Sequence, residues 1–161
     1  MILGMSLAMF TKLHVFISLV GIASGMAVLF GMLTRRSFPI LTGVFLATTA
    51  LTSLTGFLFP FKGMTPGIIL GILSMIVLVL AAIARYGGHL NGAWRGTYVI
   101  CANLALYFNV FVLFAQLFEK VPELKAIAPT QSSPAFGLTQ GLILILFVAV
   151  TFRAVKRFEV A

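Results

Sequence analysis

Five apolar stretches, each of about membrane-spanning length, occupy almost all of this 161-residue sequence. A helix needs roughly 20 apolar residues to cross the hydrocarbon core of a bilayer. The sequence is 61% hydrophobic and 9% charged, and its mean hydropathy is +1.15. A soluble fold of this size could not bury so much apolar surface. The sequence therefore predicts one all-α membrane domain, residues 1–161, built as a bundle of five transmembrane helices.

Prolines, glycines and basic residues separate the five stretches and set their predicted limits. The predicted spans are residues 13–34, 38–59, 67–84, 97–118 and 135–152. Before the second span, Ser37 is expected to cap the helix and Pro39 to occupy its first turn. Residues 119–134 contain three prolines and are expected to form the longest polar loop. No stretch is long and polar enough to form a separate soluble domain.

The Lys and Arg residues are divided unequally between the two predicted faces of the membrane. An odd number of spans groups seven bases on one face: Arg35, Arg36, Arg85, Arg95, Arg153, Lys156 and Arg157. The other face carries four: Lys12, Lys62, Lys120 and Lys125. Cytoplasmic loops are normally richer in Lys and Arg. The sequence therefore predicts the N-terminus outside and the C-terminus inside, in a membrane of the bacterial inner-membrane type. We attribute the formal net charge of +8 to this orientation and to anionic lipid, and not to nucleic-acid binding.

Polar side chains within four of the spans are predicted to lie at a shared depth, in the outer half of the membrane. Amide and imidazole groups in hydrocarbon need hydrogen-bond partners. One explanation is that these groups bond to one another and hold the helices together. The other is a pocket, open to the outside, that binds a lipid head group, a quinone or a similar amphiphile. The candidate ligand-binding residues are His14, Ser18, Thr52, Thr55, Asn109, Gln116 and Gln140.

His14 is the strongest single candidate, because an ionisable side chain within a membrane is a functional candidate by default. It suggests a redox protein that binds haem or engages quinone. His89 is predicted to lie about a membrane thickness away, which argues against a haem held by two histidines of one subunit. Met1, Met5 and Met9 recur every four residues, and thioethers with an imidazole suit Cu(I) if residues 1–10 form a helix. An apolar interfacial face explains these methionines more simply.

The glycine-rich loop formed by residues 85–96 is the most distinctive feature of the predicted cytoplasmic face. Arg85 and Arg95 could pair with a phosphate, and Trp94 suits the membrane interface. These three residues are therefore candidate contacts for a lipid head group. The glycines lack the spacing of a nucleotide-binding loop. A flexible turn with snorkelling arginines is the simpler explanation.

Groups that could perform catalysis are scarce in this sequence. Its three acidic residues, Glu119, Glu123 and Glu159, all lie at or beyond the span ends. Hydrolysis needs a nucleophile with a base, paired carboxylates or a held metal, so neither a catalytic nor a metal site is predicted. We expect a non-catalytic accessory or assembly subunit, or a binder of a lipophilic molecule. Small residues at positions 21/25 and 67/71 permit close helix contact, within the chain, in a homo-oligomer or in a larger membrane complex.

Overall fold

Six α-helices make up most of the protein, whose computed structural model describes residues 2–60 and 63–159. They are α1 Leu7–Thr34, α2 Pro39–Phe57, α3 Pro66–Ala82, α4 Ala93–Lys120, α5 Pro122–Ile127 and α6 Pro134–Arg157. A π-helical turn, Ile83–Gly87, continues α3. With that turn included, α1, α2, α3, α4 and α6 are each long and apolar enough to cross a membrane. The predicted all-α class and the five long helices are confirmed, and they indicate an integral membrane protein.

Two helices extend well beyond the predicted spans. α1 begins at Leu7 rather than near residue 13, because the side chain of Ser6 caps it. The Ser6 oxygen accepts a hydrogen bond from the backbone N–H of Met9 at 3.2 Å, and this satisfies one of the free groups of the first turn. At the other end of the chain, α6 continues to Arg157 and carries two basic residues in its last turn. Cations at that position interact favourably with the helix dipole.

Two predictions about the connections need correction. Ser37 does not cap α2: the N-cap is Phe38, which makes no side-chain bond, although Pro39 does lie in the first turn. The predicted polar loop of residues 119–134 contains the short helix α5. Pro122 begins that helix, because its fixed φ and missing N–H suit a first helical position.

α4 is the central helix of the bundle and packs against α1, α2, α3 and α6. The core around it includes Phe45, Tyr98 and Leu106, each only 1% exposed. α1 comes close to this core at Gly25, where an added Cβ would lie 2.7 Å from Leu106 Cδ1 and 2.8 Å from the Phe45 ring. A side chain at this position would therefore push the three helices apart.

Contacts between helix termini define two ends of the bundle. The histidine end, which contains His14, also contains Phe59 and the bases Lys12, Lys120 and Lys125. At the opposite end Arg157 donates to the Leu33 carbonyl at 3.5 Å, and Arg95 donates to the carbonyl of Phe158. We call this the basic end, because it gathers Arg35, Arg36, Arg85, Arg95, Arg153, Lys156 and Arg157. α1 begins at the histidine end and α6 ends at the basic end. Lys62, which was counted in predicting the orientation, lies outside the described residues.

Candidate functional site

His14 links α1 to α2 near the histidine end. Its Nδ1 lies 2.8 Å from the Thr55 hydroxyl oxygen, and its ring packs edge-on against Phe59 with centroids 5.2 Å apart. The Thr55 hydroxyl already donates to the Leu51 carbonyl at 2.7 Å, so its oxygen acts as the acceptor towards His14. In the neutral ring the proton is then on Nδ1 and the lone pair is on Nε2. Any ligation by this side chain would therefore use Nε2.

Asn109 forms a second link, from α4 to α2. Its side-chain nitrogen donates to the Thr49 hydroxyl oxygen at 3.1 Å. Thr49 is completely buried, and Gly21 of α1 lies beside it: a Cβ on Gly21 would be 3.2 Å from the hydroxyl oxygens of both Thr48 and Thr49. Three helices therefore meet around one buried polar contact.

Gln140 forms the third link, from α6 to α4. Its nitrogen donates to the Phe111 carbonyl at 3.0 Å. Its own oxygen, Oε1, is buried and has no hydrogen-bond partner among the described residues. Phe136 is stacked edge-on with Phe111 and Phe118, at 6.4 and 5.7 Å between ring centroids. A buried acceptor without a donor costs about 1–3 kcal/mol.

The other members of the predicted cluster are satisfied locally or face outwards. Ser18 donates to the carbonyl of His14 at 2.8 Å, and Thr52 donates to that of Thr48 at 2.9 Å. Gln116 is exposed on α4. Four of the seven predicted residues, His14, Thr55, Asn109 and Gln140, therefore take part in three separate interhelical links, and the other three take part in none. The prediction that they bind a ligand remains a prediction.

The three residues predicted to contact a lipid head group lie at the basic end. Arg85 is carried by the π-helical turn, with its guanidinium carbon 5.3 Å from the centre of the Tyr98 ring. Arg95 lies in the first turn of α4 and donates to the carbonyl of Phe158. Trp94 packs directly on Gly88, where an added Cβ would lie 2.3 Å from its indole.

The N-terminal methionines do not share one helical face in the described residues. Ile2 and Met5 exchange two backbone hydrogen bonds of 3.0 Å across a tight turn, and α1 begins only at Leu7. Met5 therefore lies outside the helix that carries Met9 and His14. The Cu(I) hypothesis required residues 1–10 to form one helix, and residues 2–6 are not part of α1. Met1 lies outside the described residues.

A metal ion held by three of the usual ligands has no site among the described residues. Within residues 2–60 and 63–159, no three His, Cys, Asp or Glu side chains converge as such a site would require. Haem needs only one or two axial ligands, so this finding bears on metal ions and not on haem at Nε2 of His14.

Among the described residues lie two cavities that the sequence did not predict. The larger is an open groove of about 380 Å³ between α4 and α6, which we call the α4–α6 groove. It is lined by Ile100, Leu104, Tyr107, Leu144, Phe147, Val148, Thr151, Phe152 and Val155. The smaller lies at the basic end and is lined by Val28, Met32, Arg36, Ser37, Phe38, Thr42, Arg85, Tyr98 and Phe158. Of the predicted site residues, only Arg85 lines either cavity. No motif marks the groove, because it arises from how two helices cross.

No protein family, curated protein or solved structure compared with this chain matches it. Its function is therefore inferred from its own residues and their contacts.

Proposed function

We propose that this chain is a non-catalytic protein of a bacterial-type inner membrane, an accessory or assembly subunit that binds a lipophilic molecule in the α4–α6 groove. The groove itself is the observation that supports this proposal. Its volume of about 380 Å³ is comparable to that of small-molecule sites. Its walls are apolar apart from the hydroxyls of Tyr107 and Thr151. They suit a hydrocarbon chain better than a polar ligand.

The charges beside the groove favour an anionic phospholipid as the occupant. The Lys156 ammonium lies 4.1 Å from the centre of the Phe152 ring, which forms part of the groove wall. Arg153 follows directly in the same helix turn. Bases near a membrane surface attract anionic head groups by about 1 kcal/mol each. One acyl chain would lie in the groove, with its head group at Lys156.

In this proposal the polar cluster fixes the helices and does not line the site. His14, Asn109 and Gln140 each bond to a neighbouring helix. Interhelical bonds of this kind restrict the relative positions of membrane helices. The bonds of Asn109 and Gln140 would hold α4 in place, and α4 provides one wall of the groove.

The occupant can be identified by native mass spectrometry of the protein released from native membrane nanodiscs. Val148→Trp should fill the groove and reduce retained anionic phospholipid several-fold. Val79→Trp is the matched control, because Val79 is also an exposed valine, on α3, and does not line the groove. Equal lipid retention by both variants would refute the proposal.

The same preparations separate this proposal from its rivals. A haem absorption band that disappears in His14→Ala, or a retained quinone, would favour a redox protein instead.

Blue-native electrophoresis of gently solubilised membranes should show the chain in a homo-oligomer or a larger complex. Migration as a free monomer would contradict the accessory-subunit role.

The proposed orientation places the histidine end outside and the basic end in the cytoplasm. Asn91 and Ser132 are exposed in loops at opposite ends of the bundle. In a Cys101→Ala background, Ser132→Cys should react with an impermeant maleimide in intact cells. Asn91→Cys should react only after permeabilisation. The reverse pattern would overturn the orientation.

A further inference from the structure

We propose that the small cavity at the basic end is an anion site, in which Arg36 and Arg85 hold a phosphate group. The cavity itself measures about 10 Å³, enough for roughly one water molecule. Arg36 and Arg85 both line it and it is open on one side, so the phosphate would lie at its mouth and not inside it. None of its lining residues lines the α4–α6 groove, so this inference does not rest on the proposed lipid in that groove.

Arg85 is held in position by aromatic rings. Its guanidinium carbon lies 5.3 Å from the centre of the Tyr98 ring and 5.8 Å from that of Tyr86. Tyr98 is 1% exposed, so at least one of these rings is fixed in the core. Cation–π contacts of this kind orient a guanidinium without neutralising it. Its planar fork remains available for two parallel hydrogen bonds to phosphate oxygens.

The turn between α1 and α2 brings Arg36 to the same cavity. Arg35 ends α1 in the left-handed conformation, with φ of 58°, and the N–H of Arg36 bonds to the Gly31 carbonyl at 2.9 Å. This closure reverses the chain within a few residues, so that α2 starts beside the cavity. Because Phe38 provides no side-chain cap, the positive end of the α2 dipole adds to the field of the two arginines.

The cavity lacks an internal counter-ion among the described residues. Its lining contains two guanidinium groups and the hydroxyls of Ser37, Thr42 and Tyr98, but no carboxylate. Glu159 lies 3.7 Å from Arg35, with both side chains more than 60% exposed. The Thr42 hydroxyl already donates to the Phe38 carbonyl at 3.0 Å, which leaves the Ser37 hydroxyl as an additional donor. Arg85, which the aromatic rings orient, and the exposed Arg36 are guanidinium groups of the kind that bind phosphate in proteins.

The phosphate could belong to a lipid head group or to a soluble anion, and the experiment distinguishes these sources. Purified protein is placed in phosphatidylcholine nanodiscs and its thermal unfolding is measured with added inorganic phosphate. A second set of nanodiscs contains phosphatidylglycerol. Stabilisation by phosphatidylglycerol alone identifies a lipid, and stabilisation by inorganic phosphate identifies a soluble anion. Either result supports the anion site, provided that it depends on Arg36 and Arg85. Stabilisation by neither refutes it.

Paired variants test whether the cavity is responsible. Arg36→Gln/Arg85→Gln should weaken the apparent affinity about tenfold or more, because two charge-assisted bonds are lost. Arg35→Gln/Arg157→Gln removes the same charge at the basic end, at residues that line neither cavity, and should keep most of the affinity. Equal losses in both variants would show non-specific attraction and overturn the proposal. If the first variant does not fold, Arg36→Gln alone, at an exposed position, provides the same comparison.

Discussion

The two sides of α4 pack in different ways, although similar small residues lie on both. On one side, Gly21 and Gly25 of α1 bring α1, α2 and α4 so close that an added Cβ would touch neighbouring side chains. On α6, Gly137 and Gly141 have the same four-residue spacing, but a Cβ on either would meet nothing within 4 Å. α6 nevertheless packs against α4, and large side chains, including Tyr107 and Phe147, line the α4–α6 groove beside that contact.

The hydrogen bonds of Asn109 and Gln140 also differ between these two contacts of α4. Where the helices approach closely, Asn109 bonds to the fully buried Thr49. Between α6 and α4, Gln140 reaches only a backbone carbonyl, and its own oxygen lacks a described partner. Side chains satisfy one another at the first contact, whereas at the second one polar atom is left without a partner and a groove lies beside the helices.

Adding a methyl group to the two sides of α4 should have effects of opposite sign. Gly25→Ala should destabilise the protein by about 1–3 kcal/mol, because the buried Leu106 and Phe45 cannot move away. Gly141→Ala meets open space and should stabilise α6 by up to about 1 kcal/mol. Reversible unfolding by sodium dodecyl sulfate in mixed micelles, followed by circular dichroism, measures both. Similar effects at the two positions would show that the two sides pack alike.

The bond between Asn109 and Thr49 should be measurable as a coupling between the two residues. In a double-mutant cycle of Asn109→Leu and Thr49→Val, we expect a coupling energy of about 0.6–1.7 kcal/mol. The same unfolding assay measures it. Gln116→Leu serves as the control on α4, because Gln116 is exposed and should change stability by less than about 0.5 kcal/mol. A coupling indistinguishable from zero would mean that the contact does not bind the helices.

Hydrophobic length explains why the number of helices could be predicted. Five long apolar runs leave few alternatives in a bilayer, and the part of the chain that the structure describes forms five such helices. The cap by Ser6 and the helix at Pro122–Ile127 were missed, because both depend on local hydrogen bonding that weak propensities do not specify. The four-residue spacing of Gly21 and Gly25 predicted a close helix contact, and both glycines make one. Gly137 and Gly141 have the same spacing, but no neighbouring atom lies within 4 Å of a Cβ built on either.

The candidate site was predictable only in part, for a geometric reason. Helical periodicity places His14 and Asn109 within polar faces, but it does not state which residue on another helix each will meet. Their partners, Thr55 and Thr49, are separated from them by 41 and 60 residues. Helix crossing also creates the α4–α6 groove and the cavity at Arg36 and Arg85. Crossing depends on the whole packed surface and not on a motif.

Gln140 offers a sharper test of the contact between α6 and α4. Gln140→Leu removes one hydrogen bond but also removes the cost of burying Oε1 without a donor. The two contributions should nearly cancel, giving a change within about 0.5 kcal/mol. The Asn109→Leu variant, measured in the same micelles, should lose clearly more stability. A loss at Gln140 as large as that at Asn109 would indicate a bound donor on Oε1, such as a water molecule or a ligand.

The ion pair between α1 and the segment after α6 should have the smallest effect. Arg35 and Glu159 lie 3.7 Å apart, but their side chains are 63% and 62% exposed. Water and salt screen such a pair, and holding two long side chains together costs entropy, so Glu159→Gln should change the unfolding free energy by less than about 0.5 kcal/mol. Unfolding at low and high salt should differ little between this variant and the original protein. A loss above 1 kcal/mol that disappears at high salt would show that electrostatic attraction, and not packing against α4 and α1, holds α6 in place. The two sides of α4 would then differ in the kind of force that joins them as well as in how closely they pack.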